Sequence, residues 1–129
     1  MIDLNGLTIL IVDDEEMLRE VIADSFKRMG CKVFEADGAN SACEIIAHGQ
    51  IDVVISDVRM PNGDGIQLLQ WIAKLKGIHP LVIMISGFSD LTEVKAKEMG
   101  AVGLFHKPFH IKELIEEIKL HWKDRARAS

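Results

Sequence analysis

The chain has 129 residues, and since single domains hold about 100–200 residues, one domain is expected. The 48% apolar and 27% charged content excludes a disordered tail, and a net charge of −5 argues against sequence-independent binding to nucleic acid. Cys31 and Cys43 match no metal-ligand spacing, and the sequence offers neither a signal peptide nor an apolar run long enough for membrane insertion. We therefore expect a small, acidic, cytoplasmic domain.

Five short apolar runs predict five β-strands. In chain order they are Ile9–Val12, Val33–Ala36, Val53–Ile55, Leu81–Ile85 and Val102–Phe105. Most are near-continuous runs of Ile, Val and Leu, which is typical of parallel strands covered on both faces.

The segments between the runs, and the segment after the last, have helical periodicity. In the first segment, Leu18, Val21, Ile22, Ser25 and Phe26 share one helical face, and the second is a short segment over Ser41–Ala47. The inward residues of the third are Leu68, Leu69, Ile72 and Leu75, and those of the fourth are Leu91, Val94, Ala96 and Met99. In the fifth they are Leu114, Ile115, Ile118 and Trp122. We expect Asn40 to cap the second helix, and Asp90 with Glu93 to form a capping box that opens a fourth helix over Asp90–Met99.

Strand followed by helix, five times over, predicts a three-layer α/β domain with a doubly wound, five-stranded parallel sheet and five helices. Gly30 and Gly100 stand where the first and fourth helices should end. We assign residues 1–124 to this domain and residues 125–129 to a polar tail.

Reactive side chains follow four of the five predicted strands. They are Asp13, Asp14 and Glu15 after the first strand, Asp57 after the third, Ser86 after the fourth, and His106 and Lys107 after the fifth; the second strand is followed only by Asp37. Because ligands bind beyond the carboxyl ends of parallel strands, these groups should converge at one edge of the sheet.

The charge of such a cluster restricts its chemistry. Two carboxylates 4 Å apart repel by about 4 kcal/mol at an effective dielectric constant of 20, so the site must raise a pKa or hold a cation. Oxygen ligands without His or Cys suit Mg²⁺. With Mg²⁺ and Lys107, the three aspartates would be neutralised, and a carboxylate could then attack phosphorus and become an aspartyl phosphate.

Four segments, taken together and in order, resemble the receiver domain of two-component response regulators over essentially the whole chain. They are Ile11-Val12-Asp13-Asp14-Glu15, Asp57-Val58-Arg59-Met60-Pro61-Asn62-Gly63-Asp64-Gly65, Ser86-Gly87 and Lys107-Pro108-Phe109. The resemblance, which is to chemotaxis receivers in particular, implies the flavodoxin-like strand order 2-1-3-4-5. It also implies a phosphorelay module that promotes its own phosphorylation and dephosphorylation but is not a turnover enzyme by itself.

The resemblance assigns a magnesium site to four residues. Asp14 would bind Mg²⁺ directly, Asp13 mainly through water, and Arg59 through its backbone carbonyl, with Asp57 as the fourth ligand.

It also assigns the phosphoryl chemistry. Asp57 would accept the phosphoryl group from a sensor histidine kinase or a phosphotransfer protein, and Ser86 and Lys107 would contact its oxygens. The peptide bond before Pro108 is expected to be cis, which would direct Lys107 into the site.

Three residues depart from the usual receiver pattern. Leu104 occupies the position of a common aromatic switch residue, and Phe105 should point to the opposite face of its strand. Arg59 and Phe88, near Asp57 and Ser86, are expected to alter autodephosphorylation in a direction that the sequence does not give.

Two other functions are alternatives: a pseudo-receiver that binds partners without phosphorylation, and a phosphatase of the haloacid-dehalogenase type. The phosphatase needs a second Asp two residues after the first, where this chain has Arg59. The cognate kinase, the output partner or fused effector domain, and a homodimer through the fourth helix, fifth strand and fifth helix all stay open.

Overall fold

The computed structural model of the protein describes residues 4–87 and 91–128. Within these ranges, five strands alternate with five helices, as the sequence predicts. The strands are β1 (Thr8–Val12), β2 (Lys32–Ala36), β3 (Val53–Asp57), β4 (Leu81–Ser86) and β5 (Gly103–His106). The helices are α1 (Glu16–Arg28), α2 (Ala39–His48), α3 (Gly65–Ala73), α4 (Glu93–Glu98) and α5 (Ile111–Ala128). In this described part, no helix is both long enough and apolar enough to cross a membrane.

The five strands form one parallel sheet in the order β2-β1-β3-β4-β5, which confirms the expected flavodoxin-like topology. Leu10 in the middle of β1 pairs with Phe34 of β2 on one side and Val54 of β3 on the other. The strand order therefore reverses between β1 and β3, and a ligand crevice is expected beyond the carboxyl ends of these two strands.

The sheet separates two apolar cores, because successive strand residues point to opposite faces. Leu10 and Met84 belong to the core that packs under α2, α3 and α4. Ile9 and Ile83 belong to the core that α1 and α5 cover, where Phe26 of α1 is fully buried. Both faces of the sheet are covered, which is why the strands appear in the sequence as near-continuous apolar runs.

The first and fourth helices end as the sequence predicts, but the inward face of α1 differs. Gly30 and Gly100 have φ of 84° and 109°, the left-handed conformation that glycine adopts after a helix. On α1, Val21 is 54% exposed and Ala23 is fully buried. Leu18, Ile22 and Phe26 face the core as predicted, whereas Ala23 takes the inward place that the pattern gave to Val21.

The predicted N-cap at Asn40 is wrong. Helix α2 begins at Ala39, and Gly38 in the cap position offers no side chain. The N–H of Ala39 instead donates to the carbonyl of Gly63, at 2.9 Å. A carbonyl from a distant loop thus satisfies the helix terminus, and no local sequence rule could have indicated it.

Helix α4 begins later than predicted, at Glu93. Thr92 is its N-cap, and its hydroxyl accepts a hydrogen bond from the N–H of Lys95 at 3.1 Å. Asp90, the predicted cap, lies outside the described residues. Inside the short helix Ala96 is buried, whereas Val94 is exposed, so α4 contributes little to the core.

Two glycines allow the loops at the carboxyl edge to pack closely. A Cβ on Gly38 would lie 2.3 Å from the carbonyl oxygen of Asn62, so the β2–α2 loop fits directly against the β3–α3 loop. A Cβ on Gly65 would lie 2.1 Å from the carbonyl oxygen of Asp57. The N–H of Gly65 also donates to Val58 O at 2.8 Å, which fixes the start of α3 beside the end of β3.

We predict that Gly65→Ala lowers the free energy of unfolding by about 1–3 kcal/mol, because the added methyl group must displace the backbone of β3. Urea unfolding followed by circular dichroism measures this change. Gly103→Ala is the matched control, since its Cβ would meet only Glu117, with Oε1 at 3.6 Å. Equal midpoints for the two variants would contradict the steric argument.

Candidate functional site

The ends of β1 and β3 bring two acidic side chains together. Asp13 directly follows β1, and its N–H donates to Ala36 O on β2 at 3.0 Å. Asp57 is the last residue of β3, and the next N–H, that of Val58, donates to Ile85 O on β4 at 2.9 Å. Because β1 and β3 are neighbours in the sheet, their continuing hydrogen bonds fix the two carboxylates side by side.

Asp13, Asp14 and Asp57 form an acidic cluster, as the sequence predicts. One carboxylate oxygen from each lies within 4.8 Å of those of the other two. Asp13 and Asp57 are buried, whereas Asp14 is exposed. Three carboxylates at this spacing are hard oxygen ligands that fit a divalent cation such as Mg²⁺, which commonly meets proteins through one or two carboxylates and keeps several waters.

The ammonium group of Lys107 lies against the same cluster. Its Nζ is 3.1 Å from Asp57 Oδ2, 3.4 Å from Asp13 Oδ2 and 3.0 Å from Glu15 Oε1. The N–H of Lys107 donates to Ser86 O at 2.8 Å, so the end of β4 positions the lysine backbone. The Lys107–Pro108 bond is cis, as expected.

The surroundings shift the pKa of the lysine upwards. Burial by itself would lower the pKa of Lys107, but hydrogen bonds to Glu15 and Asp57 and the charge of Asp13 outweigh burial and raise the pKa above its ordinary value. Lys107 therefore stays a cation at every physiological pH.

The pKa of Asp13 is also raised, but here burial is the cause rather than the influence that is outweighed. Burial is the largest influence and raises the pKa of Asp13, and the negative charges of Asp57 and Glu15 act in the same direction. The N–H of Glu15 opposes them by donating to Asp13 Oδ1 at 2.9 Å, as does the charge of Lys107. The ionised form of Asp13 is thus costly in the protein without a bound cation.

Arg19 holds the backbone at the end of β1. Its Nη1 donates to the carbonyl oxygen of Asp13 at 2.7 Å, and its Nε pairs with Glu35 Oε1 at 3.0 Å. This contact connects α1 and β2 to the residue that carries the buried carboxylate. The role of Arg19 was not predicted from the sequence, because Arg19 and Glu35 come together only in the folded chain.

A cleft of about 250 Å³ opens over the cluster. Its lining consists of Glu15, Asp57, Val58, Arg59, Ser86, Gly87 and Lys107. Ser86 is buried at the end of β4, and Arg59 is exposed at the rim. All the residues predicted for the metal and phosphoryl sites therefore lie at one edge of the sheet. Phe88, which is expected from the sequence to alter autodephosphorylation, lies outside the described residues.

Leu104 and Phe105 face opposite sides of β5, as the alternation predicts. Leu104 is buried in the core beneath α4. Phe105 lies on the α5 side, 6.3 Å from the ring of Phe109. A leucine thus occupies the inward position below α4, where the common pattern has an aromatic ring.

Two further features of the site were not predicted from the sequence. Glu15 belongs to the acids that follow β1, but its contact with Lys107 joins residues 92 positions apart, which no local signal indicates. The capping box of α3, in which Asp64 accepts from the N–H of Gln67 at 2.8 Å, has the standard spacing and could have been found by that rule.

Comparison with known proteins identifies the family. The family model "Response regulator receiver domain" matches residues 9–119. The chain therefore belongs to the receiver-domain family of two-component response regulators, whose members are signalling modules rather than turnover enzymes.

Individual relatives agree with this assignment. The chain is 33% identical over 116 residues to the DNA-binding transcriptional regulator NtrC of Azospirillum brasilense, a match that covers 90% of this chain and 24% of that protein. Among solved structures, a CheY-like receiver domain protein from Methanospirillum hungatei JF-1 has a TM-score of 0.88 at 25% identity, covering 97% of this chain and 100% of that one. The receiver domain of NtrX from Brucella abortus has a TM-score of 0.74 at 34% identity, covering 83% and 91%. The chain spans about a quarter of the length of the curated NtrC relatives.

We predict that Asp13→Asn raises the free energy of unfolding by about 0.5–2 kcal/mol at pH 7 in the presence of EDTA. The amide keeps the oxygen that accepts from Glu15 but removes a buried charge. Because the pKa of Asp13 is raised on folding, the wild-type protein loses stability as the pH rises past the unfolded value of about 4, and the difference between the proteins should grow over that range.

Urea unfolding at several pH values, with Asp24→Asn on the exposed face of α1 as the control, measures this effect. A destabilised Asp13→Asn variant in EDTA would contradict the conclusion that the buried carboxylate is costly.

Proposed function

We propose that this receiver domain accepts a phosphoryl group on Asp57 in a Mg²⁺-dependent reaction and thereby changes the surface that it offers to a partner. The observation that carries the proposal is the position of Asp57 on an open cleft, between the ammonium of Lys107 and the carboxylates of Asp13 and Asp14. A carboxylate in that position is a nucleophile whose surroundings are prepared for added negative charge.

When the donor is an acyl phosphate, the transfer of the phosphoryl group needs no separate proton acceptor, because the nucleophile and the leaving group are both carboxylates. A carboxylate oxygen of Asp57 attacks phosphorus, and an Asp57–phosphorus bond forms as the bond from phosphorus to the acyl oxygen breaks. The bonding electrons leave with the carboxylate of the donor, which is acetate when the donor is acetyl phosphate. The protein's contribution is positioning and charge stabilisation, as in other phosphoryl transfers.

Asp13, Asp14 and Asp57, with the backbone carbonyl of Arg59, are the residues that would hold Mg²⁺. The ion would offset the charge of the carboxylates and of the phosphoryl oxygens. The raised pKa of Asp13 supports this assignment, since a buried carboxylate that is costly without a cation gains from binding one.

Lys107 and Ser86 would contact the phosphoryl oxygens. Lys107 Nζ already lies 3.1 Å from Asp57 Oδ2, so a group attached to Asp57 would remain within reach of the ammonium. Ser86 lines the same cleft from the end of β4. A serine contact with the phosphoryl group would connect the chemistry to the segment between β4 and α4.

That segment suggests the part of the surface that responds. Helix α4 has six residues, of which Ala96 is buried, and it follows the strand that carries Ser86. A short helix with few buried apolar contacts is held weakly, so phosphorylation could shift its equilibrium at modest cost. Leu104 packs in the core beneath it and takes the inward position of the aromatic switch residue of many receivers.

The proposed partners are a sensor histidine kinase or a phosphotransfer protein as donor, and an output domain or a separate effector as recipient of the signal. The similarity to NtrC regulators, of which this chain spans about a quarter, supports an output of that kind.

We predict that acetyl phosphate adds one phosphoryl group, about 80 Da, to the protein in the presence of Mg²⁺ and none in EDTA. Asp57→Asn should abolish the gain, which intact-mass spectrometry measures directly. Asp52→Asn is the matched control: Asp52 precedes β3 at its other end and accepts from the N–H of Thr8 at 2.8 Å, an acceptor that asparagine retains.

A gain that persists in Asp57→Asn would show that another residue is modified. If neither acetyl phosphate nor beryllofluoride binds to the wild-type protein, the chain is instead a phosphorylation-independent interaction module.

We further predict that beryllofluoride with Mg²⁺, which mimics the phosphoryl group, changes amide hydrogen exchange in α4 more than in α2. Helix α2 is the internal control, because it buries Ala39, Ala42 and Ile46 against the sheet. Mass spectrometry of peptides that cover the two helices measures the difference. Equal changes in both helices would contradict a response centred on α4.

A further inference from the structure

Glu15 is the third carboxylate on Lys107 and the one that neither the metal site nor the phosphoryl chemistry uses. Its Oε1 lies 3.0 Å from Lys107 Nζ, as close as any of the three contacts of the ammonium. It also lines the cleft over Asp57. Glu15 is therefore placed to act on the reacting carboxylate through the lysine.

The ammonium has three N–H donors, and three carboxylates of the described residues surround it. A phosphoryl group on Asp57 would bring three more oxygens and a charge of about −1.5 to −2. To reach them, Lys107 must turn at least one donor away from a present partner. Which partner yields depends on how readily each carboxylate can be hydrated again.

The exposure of the three side chains decides between them. The side chain of Asp13 is 3% exposed and that of Asp57 is 8% exposed, whereas that of Glu15 is 62% exposed. A carboxylate that is already in water loses little when its partner leaves, but a buried one is left unpaired at high cost. The contact with Glu15 is thus the one that Lys107 can give up.

On the basis of the proposed function, we infer that Glu15 is a positioning residue: it holds Lys107 in the unphosphorylated protein and competes with the phosphoryl group for the lysine. Breaking this contact frees a donor of Lys107 before the reaction begins. Glu15 therefore slows phosphorylation and weakens the binding of phosphoryl mimics, even though it touches neither the phosphoryl group nor the metal.

Three variants distinguish the loss of the Glu15–Lys107 contact from the loss of a negative charge near the site. Glu15→Gln keeps the length of the side chain and removes the charge. Glu15→Asp keeps the charge but is one methylene shorter, so it should not reach the ammonium in the same geometry. Glu16→Gln is the matched control, since Glu16 is the next residue and is exposed in the first turn of α1. It removes the same charge close to the site.

The experiment measures the rate of mass gain with acetyl phosphate and the affinity for beryllofluoride, both at saturating Mg²⁺. We expect Glu15→Gln and Glu15→Asp to increase the rate and the affinity by about two- to fivefold, the range that an exposed ion pair provides, while Glu16→Gln matches the wild type. Urea midpoints within error of the wild-type value would exclude a general structural effect.

Two results would overturn the inference. If Glu16→Gln accelerates the reaction as much as Glu15→Gln, the effect is one of overall charge. If Glu15→Asp behaves as the wild type, or both Glu15 variants are slower, Glu15 does not compete for Lys107. Either result leaves the proposed function intact. If the wild-type protein neither gains a phosphoryl group from acetyl phosphate nor binds beryllofluoride, both the proposed function and the inference about Glu15 are wrong.

Discussion

The site depends on one electrostatic constraint, the crowding of negative charge where β1 and β3 end. Asp13, Asp14 and Asp57 place their carboxylate oxygens within 4.8 Å of one another, and burial of Asp13 prevents water from screening them fully. Lys107 offsets part of this charge. The remaining excess of negative charge opposes folding, because the carboxylates repel one another and one of them is buried.

Backbone contacts made by Gly65 and Arg19 hold the carboxylates in place despite their repulsion. Gly65 lets α3 start directly against Asp57, and Arg19 fixes the carbonyl of Asp13, so the carboxylates have little freedom to move apart. The side beyond β4 is different, because α4 is short and Ala96 is the buried residue within it. The acidic cluster is thus closely packed on one side, whereas the helix that follows β4 is short and has few buried residues.

The three-layer fold, and the edge of the sheet at which the site lies, could be predicted well from the sequence because both follow from local patterns. Apolar runs define strands, and in a parallel sheet the residues after them must meet; Asp13, Asp57 and Lys107 were found in this way. The strand order required the family resemblance. The cap at Asn40 was wrong, and the Glu15–Lys107 contact was missed, because each depends on which distant segment packs alongside, and that information is not contained in a local window.

The distance along the chain between Lys107 and its partners also has a consequence for how the protein is made. Lys107 lies 50 residues after Asp57 and 92 residues after Glu15. Closing loops of this length precedes any gain from the contacts that they form, so the lysine is expected to join the acids late. A chain still emerging from the ribosome with β1 to β4 complete would expose a crowded acidic edge without its lysine. In this order of folding, Lys107 reaches the acidic cluster only after β5 has formed.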